Sequence, residues 1–207
     1  NTLILFTSDN GMNLGQHGIW GKGNGTYPQN MYDSSVKVPF LASWPGHIPS
    51  NRVCEAMCSH YDIFPTLQEL LQLTGAVVQK LPGRSFLSWL EQPEKTDERS
   101  IVIVDEYGPV RMLRDRDWKL VQRYPEGPNE LYHICEDTEE AYNLYGQPQY
   151  EQQAVKMRKQ LEHIFAEYGD PELDAVREAV YGTGQYGPVG RFAVSTQRFA
   201  GKAEPAD

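Results

Sequence analysis

Clustered positive charge is what this 207-residue chain most plainly lacks. Lysine and arginine total 19 against 28 aspartates and glutamates, for a formal net charge of −9, and no stretch gathers the cations into a block. Nucleic acid and anionic membranes are recognised through clustered basic faces, so neither is an expected partner. An anionic small molecule needs only one local cation and stays open. Long apolar runs are missing too, none approaching the roughly 20 residues of a membrane helix. Cysteine is scarce: Cys54, Cys58 and Cys135 are odd in number and irregular in spacing, which is no disulfide framework. Cys54 and Cys58 lie four apart without a second pair or a histidine at zinc spacing. All three are expected to be small buried hydrophobes, which leaves redox compartment and localisation undetermined. The chain has neither an initial Met nor a signal peptide, and it starts two residues before an apolar run, so an upstream segment is expected.

What is present is an ordinary globular composition, 40% hydrophobic and 23% charged, in a length that suits one large domain or part of one plus a small one. Its most informative stretch begins at once. Leu3-Ile4-Leu5-Phe6 is a continuous apolar run, read as a strand buried on both faces in a parallel sheet. Thr7-Ser8-Asp9-Asn10-Gly11 ends it, and an open α/β sheet places ligands at that carboxyl end. Asp9 and Asn10 offer hard oxygen donors suited to Ca²⁺ or Mg²⁺. By itself the Asp-Asn-Gly triplet is simply an Asx turn. Further on, Lys22 stands in Gly21-Lys22-Gly23, where an anion can approach the backbone closely.

Between Asn10 and Tyr32 come Gly11, Gly15, Gly18, Gly21, Gly23 and Gly25, read as an irregular loop lining a site. It is not a P-loop, since position 16 is Gln and position 23 is Gly, and it lacks the third glycine of a dinucleotide fingerprint. Val38–Trp44 is a second buried strand. Asp62 is expected to cap a helix that carries Pro65 in its first turn and ends before Gly75, with Ile63, Phe64, Leu67, Leu70, Leu71 and Thr74 on one face. Residues 91–99 form a polar seam. Short strand-like runs at 100–104, 110–113, 118–122 and 130–134, split by turns, predict an antiparallel meander. A helix over 149–168 follows, with Tyr150, Ala154, Met157, Leu161, Ile164, Phe165 and Tyr168 on one stripe and Gly169 as its stop. Residues 170–181 suit one more helix, and 182–207 read as a tail without hydrophobic period.

With Leu14-Gly15-Gln16-His17-Gly18, Gly21-Lys22-Gly23, Tyr32-Asp33-Ser34-Ser35-Val36-Lys37-Val38-Pro39 and Trp44-Pro45-Gly46, the chain resembles the second half of the sulfatase family of the alkaline-phosphatase superfamily. The likeness continues through Ser59–Leu67, Leu81–Leu87 and Arg116–Leu120, in order, over about residues 1–165. It implies an α/β fold: part of a mixed, largely parallel sheet flanked by helices (1–92), then a small α+β subdomain with a four-stranded antiparallel sheet and a helix (93–181), and a tail (182–207). It implies hydrolysis of a sulfate ester, on sulfated carbohydrate at the family level, with aryl and choline sulfates open. By position, Asp9 and Asn10 match the second pair of ligands to a divalent cation, Ca²⁺ with Mg²⁺ as the alternative. Lys22 matches the catalytic lysine that contacts the sulfate and its leaving oxygen.

His17 has two readings, a substrate hydrogen bond or a loop histidine satisfied by backbone groups; the second is preferred, and His17 is kept as a substrate-binding candidate beside Lys22. Arg111 and Arg114 are read as solvated and left out of the site. The family's nucleophile, a formylglycine made in C/S-x-P-x-R, has no counterpart here, and neither has its first Asp-Asp ligand pair. The chain is therefore expected to be a C-terminal portion whose partner is the missing N-terminal half, and to be inactive alone. The alternatives are a non-catalytic interaction domain of the same fold, which would have no need of Asp9, Asn10 and Lys22 together, and a phosphodiester or phosphonate hydrolase, whose relatives tend to carry Asp-His at 9–10.

Overall fold

The structure, a computed structural model, describes residues 1–26, 28–73, 80–94, 98–105, 109–124, 127–174 and 176. Its best-packed part is the meander. Strands β5 (Ile101–Val104), β6 (Val110–Arg114), β7 (Trp118–Arg123) and β8 (Glu130–His133) pair antiparallel in chain order. With Leu113 opposite Leu120 and Leu120 opposite Leu131, the period of two puts these leucines on one face. There they meet Ala154, Met157 and Leu161 of the helix Glu151–Tyr168, introduced by a 3₁₀ turn at Pro148–Tyr150. The other face, Val110, Met112 and Val121, packs on Met31 and Val36 of the first third of the chain. Both faces being covered, even the polar side chains Arg111, Lys119, Gln122 and Arg123 of β6 and β7 are buried.

The first ninety residues are arranged differently. Strand β1 (Ile4–Thr7) pairs with β4 (Phe40–Ser43), and the pairing is antiparallel. No parallel pairing occurs among the described residues, which corrects the expected parallel sheet. Neither strand is buried on both faces: Ile4, Phe6 and Leu41 are 59%, 60% and 63% exposed. An apolar run records that a surface must be covered somewhere, not that this chain covers it. The glycine segment is more ordered than expected, holding a two-residue hairpin of β2 (Asn13–Leu14) and β3 (Trp20–Gly21) and two 3₁₀ turns.

The expected helix is α2 (Ile63–Leu70), preceded by the one-turn helix α1 (Asp33–Val36) and followed by α3 (Leu87–Glu91); the long helix is α4 (Glu151–Tyr168). Asp62 does not cap α2 with its side chain, because a 3₁₀ turn at His60–Asp62 intervenes. Its carboxylate instead accepts from Ser59 N (2.9 Å), Arg84 N (2.7 Å) and Arg99 Nη1 (3.2 Å). That draws residues 81–85 so close that a Cβ on Gly83 would lie 1.8 Å from the Tyr61 carbonyl oxygen. Thr74 and Gly75 lie outside the described residues, as do 182–207. Of the helix read at 170–181, only a 3₁₀ turn at Pro171–Leu173 is described.

Two more expectations are corrected. Cys54 and Cys135 are exposed and Cys58 half-buried, all free. They sit in irregular backbone, where Cys135 Sγ lies 3.1 Å from Asp117 Oδ1. Arg111 is buried rather than solvated: it pairs with Asp174 and lies 3.8 Å over the Phe165 ring, joining the segment after α4 to the sheet. Arg114 Nε is 3.6 Å from Asp33 Oδ1. Among the described residues no helix is long and apolar enough to cross a membrane.

Candidate active site

The loop from Ser8 to Thr26 returns on itself because a network of buried amides and hydroxyls ties it to α1. Asn13, fully buried, gives its amide hydrogens to Ser35 Oγ (2.6 Å) and the Gly21 carbonyl (3.2 Å), and its oxygen accepts from Ser34 Oγ (2.5 Å). Ser35 Oγ donates onward to Asn30 Oδ1 (2.5 Å), and Asn30 Nδ2 reaches the Gly23 carbonyl (3.1 Å). Gly11 N donates to the Ser35 carbonyl (2.9 Å). Each buried polar atom of Asn13 is thereby satisfied, which such atoms require. The approach is close enough to demand glycine: a Cβ on Gly11 would lie 2.3 Å from the Ser34 oxygen, and one on Gly23 2.9 Å from that of Asn30.

Both arms of the loop hang from that network. One carries Asp9 and Asn10 out of β1; the other carries Lys22 out of β3, and Lys22 Nζ comes to 4.0 Å from Asp9 Oδ2. The Asp9 and Lys22 side chains are 82% and 58% exposed respectively, so their attraction is screened and the contact says more about geometry than stability. The Asn10 N–H, which donates to Asp9 Oδ1 at 3.0 Å, holds the Asp9 carboxyl below the ordinary carboxylate range, with Ser8 and Lys22 adding to the effect. Asn10 gives its amide hydrogens to the Gly11 carbonyl (2.7 Å), and its Oδ1 accepts nothing among the described residues. An ionised carboxylate beside an uncommitted amide oxygen fits a hard divalent cation. Two donors are fewer than the six or more that Ca²⁺ takes, and no group of three or more His, Cys, Asp and Glu gathers among the described residues.

In the hairpin, Asn13 points to the network, while residues at alternate positions face the other way. Leu14 is paired with Trp20, and both are exposed, Trp20 at 75%, as is Met12. His17 adopts φ 53° and stacks on Tyr32 at 3.7 Å between ring centroids and 7° between planes. Asp9, Asn10 and Lys22 are thus brought together, and His17 belongs to the same loop. A cavity of about 470 Å³ lies elsewhere, between β5, the end of α4 and residues 59–62 and 82–84. It has none of these four residues on its wall.

Sequence reading missed the support beneath the site. Lys119 on β7 is fully buried, donating to the Met31 carbonyl (3.0 Å), to Glu140 Oε1 (2.5 Å) and to Asp33 Oδ1. Glu140 Oε2 also accepts from Asp33 N (2.6 Å). Nearby, the Arg123 guanidinium donates to the Gln29 carbonyl at 3.0 and 3.2 Å. Burial pushes Asp33 up, but Lys119 and Arg114 overcome it and hold the carboxyl below its ordinary value. For Glu140, burial prevails over Lys119 and leaves it raised. The sequence signals were a lysine inside the apolar period of a strand and the place of Lys119 and Asp33 within the Arg116–Leu120 and Tyr32–Pro39 stretches of the family likeness, neither of which says that the two meet.

Residues 15–167 match the family described as N-sulphoglucosamine sulphohydrolase, C-terminal. The chain is 27% identical over 186 residues to an N-acetylglucosamine-6-O-sulfatase of Bacteroides thetaiotaomicron, covering 84% of this chain and 32% of that protein. It is 30% identical over 151 residues to a choline-sulfatase of Rhizobium meliloti, covering 72% and 28%. Among solved structures, the phosphonate monoester hydrolase of Agrobacterium radiobacter superposes with a TM-score of 0.63 and 26% identity, over 91% of this chain and 39% of that one. The chain spans about a third of the length of the curated relatives it matches.

Proposed function

The chain belongs to the sulfatase family as a C-terminal portion, and we propose that the protein containing it hydrolyses sulfate esters of carbohydrates. The observation that carries this reading is the meeting of Lys22 with Asp9 at 4.0 Å across a loop folded on buried hydrogen bonds. In sulfate-ester cleavage, negative charge moves onto the leaving oxygen, and a cation already in place there lowers the barrier. Lys22 supplies that cation and contacts the sulfate. Asp9, ionised, and Asn10 Oδ1 would supply two oxygen ligands to Ca²⁺ or Mg²⁺, whose charge would offset that of the sulfate oxygens. His17 is a secondary substrate contact, its ring oriented by Tyr32. The nucleophile, a formylglycine, and the remaining metal ligands lie outside this sequence, since no C/S-x-P-x-R occurs in it. Carbohydrate is favoured because the matched family and the more broadly aligned of the two relatives above both carry names of sulfated amino sugars, N-sulfated in the first and 6-O-sulfated in the second.

The test uses the protein extended upstream through its reading frame, co-expressed with a formylglycine-generating activity and supplied with Ca²⁺. Sulfate release is measured on N-acetylglucosamine-6-sulfate, choline sulfate and an aryl sulfate, alongside hydrolysis of a phosphonate monoester. Turnover of the sugar sulfate is expected, with Lys22→Ala lowering it by on the order of 10²-fold or more and the 207-residue chain alone inactive. Preference for the phosphonate would move the chemistry to that relative. Undiminished turnover by Lys22→Ala, or turnover by the isolated chain, would overturn the site.

A further inference from the structure

A lysine with no solvent exposure keeps its charge only where carboxylates and carbonyls meet it. For Lys119 those partners are all outside its own sheet: the Met31 carbonyl, Asp33 at the first position of α1, and Glu140. They fix the turn that bears Ser34 and Ser35. Ser34 Oγ and Ser35 Oγ fix Asn13, and the Ser35 carbonyl fixes Gly11. Gly11 follows Asn10 directly, and Asn13 holds the Gly21 carbonyl, next to Lys22. A continuous series of hydrogen bonds and single backbone steps therefore runs from the centre of the small sheet to both arms of the loop.

We propose that Lys119 is a positioning residue for the site, setting through Asp33, Ser34 and Asn13 the place of Lys22 relative to Asp9 and Asn10. This rests on the reading of Lys22 as the cation at the leaving oxygen. It separates cleanly from a role in stability. A buried charge that only held the fold would change the amount of folded enzyme, and every substrate would lose turnover by one factor. A residue acting through Lys22 costs most where the leaving alcohol is poorest, because there the cation matters most. It also costs little once Lys22 is gone.

The experiment measures kcat/KM of the extended, formylglycine-bearing enzyme on nitrophenyl sulfate, a good leaving group, and on a sugar sulfate, a poor one. Lys119→Met and Ser34→Ala are each made in the native and in the Lys22→Ala backgrounds. Ser34→Ala removes one hydrogen bond from a half-buried hydroxyl and decides the matter if Lys119→Met does not fold. In the native background, each is expected to lose about 10-fold more on the sugar sulfate than on the aryl sulfate. In the Lys22→Ala background, each loses less than about 3-fold on either. Equal losses on both esters and in both backgrounds would overturn the positioning role while leaving the site intact. If Lys22→Ala itself left both esters unaffected, the reading of the site would fall, and this inference with it.

Discussion

The two parts of the molecule handle apolar surface in opposite ways. In the meander, Leu113, Leu120, Leu131, Met157 and Leu161 are essentially inaccessible, and the sheet is covered on both faces from within the chain. In the first ninety residues, Ile4, Phe6, Leu14, Trp20 and Leu41 are open, although they stand on strands. Isolated exposed apolar residues are ordinary, but side chains grouped along two strand pairs mark a surface that something covers. The buried half carries no candidate catalytic group; the open half carries all of them. What joins the halves is partly apolar, with Met31 and Val36 on Val110, Met112 and Val121, and partly polar, with Lys119 and Arg123 reaching from the sheet to residues 29–33. The well-packed part therefore acts as a foundation, and the loop of the candidate site is referenced to it by directional bonds together with the Met31 and Val36 contacts rather than by a core of its own.

The sharpest way to break that contrast is Leu120→Ala. The side chain is fully buried between α4 and its cross-strand neighbours, so its removal leaves a cavity and is expected to cost about 2–5 kcal/mol, measured by urea unfolding. A loss under about 1 kcal/mol would show that the meander is not a close-packed core.

An intermediate effect is expected at the junction. Asp33→Asn keeps the shape but removes the charge facing Lys119 and Arg114, and should cost about 1–2 kcal/mol at pH 7. The figure is discounted because a quarter (25%) of the Asp33 side chain remains open to solvent. The carboxyl is held below its ordinary value, so its contribution is fully present above about pH 4, the unfolded value, and is lost as pH falls through the folded one. Thermal scans of wild type and variant should therefore differ at pH 7 and converge below about pH 4. A difference unchanged across that range would mean that shape, not charge, joins the two parts.

How far each part was legible follows the same division. The meander could be read because its runs alternate, its turns fall at Arg114–Asp117 and before Glu130, and its contacts join neighbours in sequence. Asp9, Asn10 and Lys22 could be singled out because their spacing and glycine context are local. The junction could not: Lys119 meets Met31 and Asp33 across 88 and 86 residues, and nothing in a Trp-Lys-Leu strand announces a buried cation. Asn13, Asn30 and Ser35 carry no local mark of burial in the sequence, yet are buried and mutually satisfied. The misreading of β1 has a physical cause as well. Ile4-Leu5-Phe6 has the composition of a strand covered on both faces, but composition does not say which chain segment does the covering.

That last point yields the smallest expected effect and the finest comparison. Phe6 lies opposite Leu41 in the β1–β4 pair, and both side chains are largely open. In this chain Phe6→Ser removes apolar surface that water already touches, so stability should change by no more than about 0.5 kcal/mol. If the rest of the sulfatase covers this face, the same substitution in the upstream-extended protein buries a hydroxyl and leaves a void. The cost should then rise to about 3 kcal/mol or more. Paired unfolding measurements on the two lengths give the difference directly. A cost of 2 kcal/mol or more already in the shorter chain would mean that the open half is closed by its own residues. Equal small costs in both would mean that this face stays at the surface of the whole protein, and that the site loop is supported from the meander side alone.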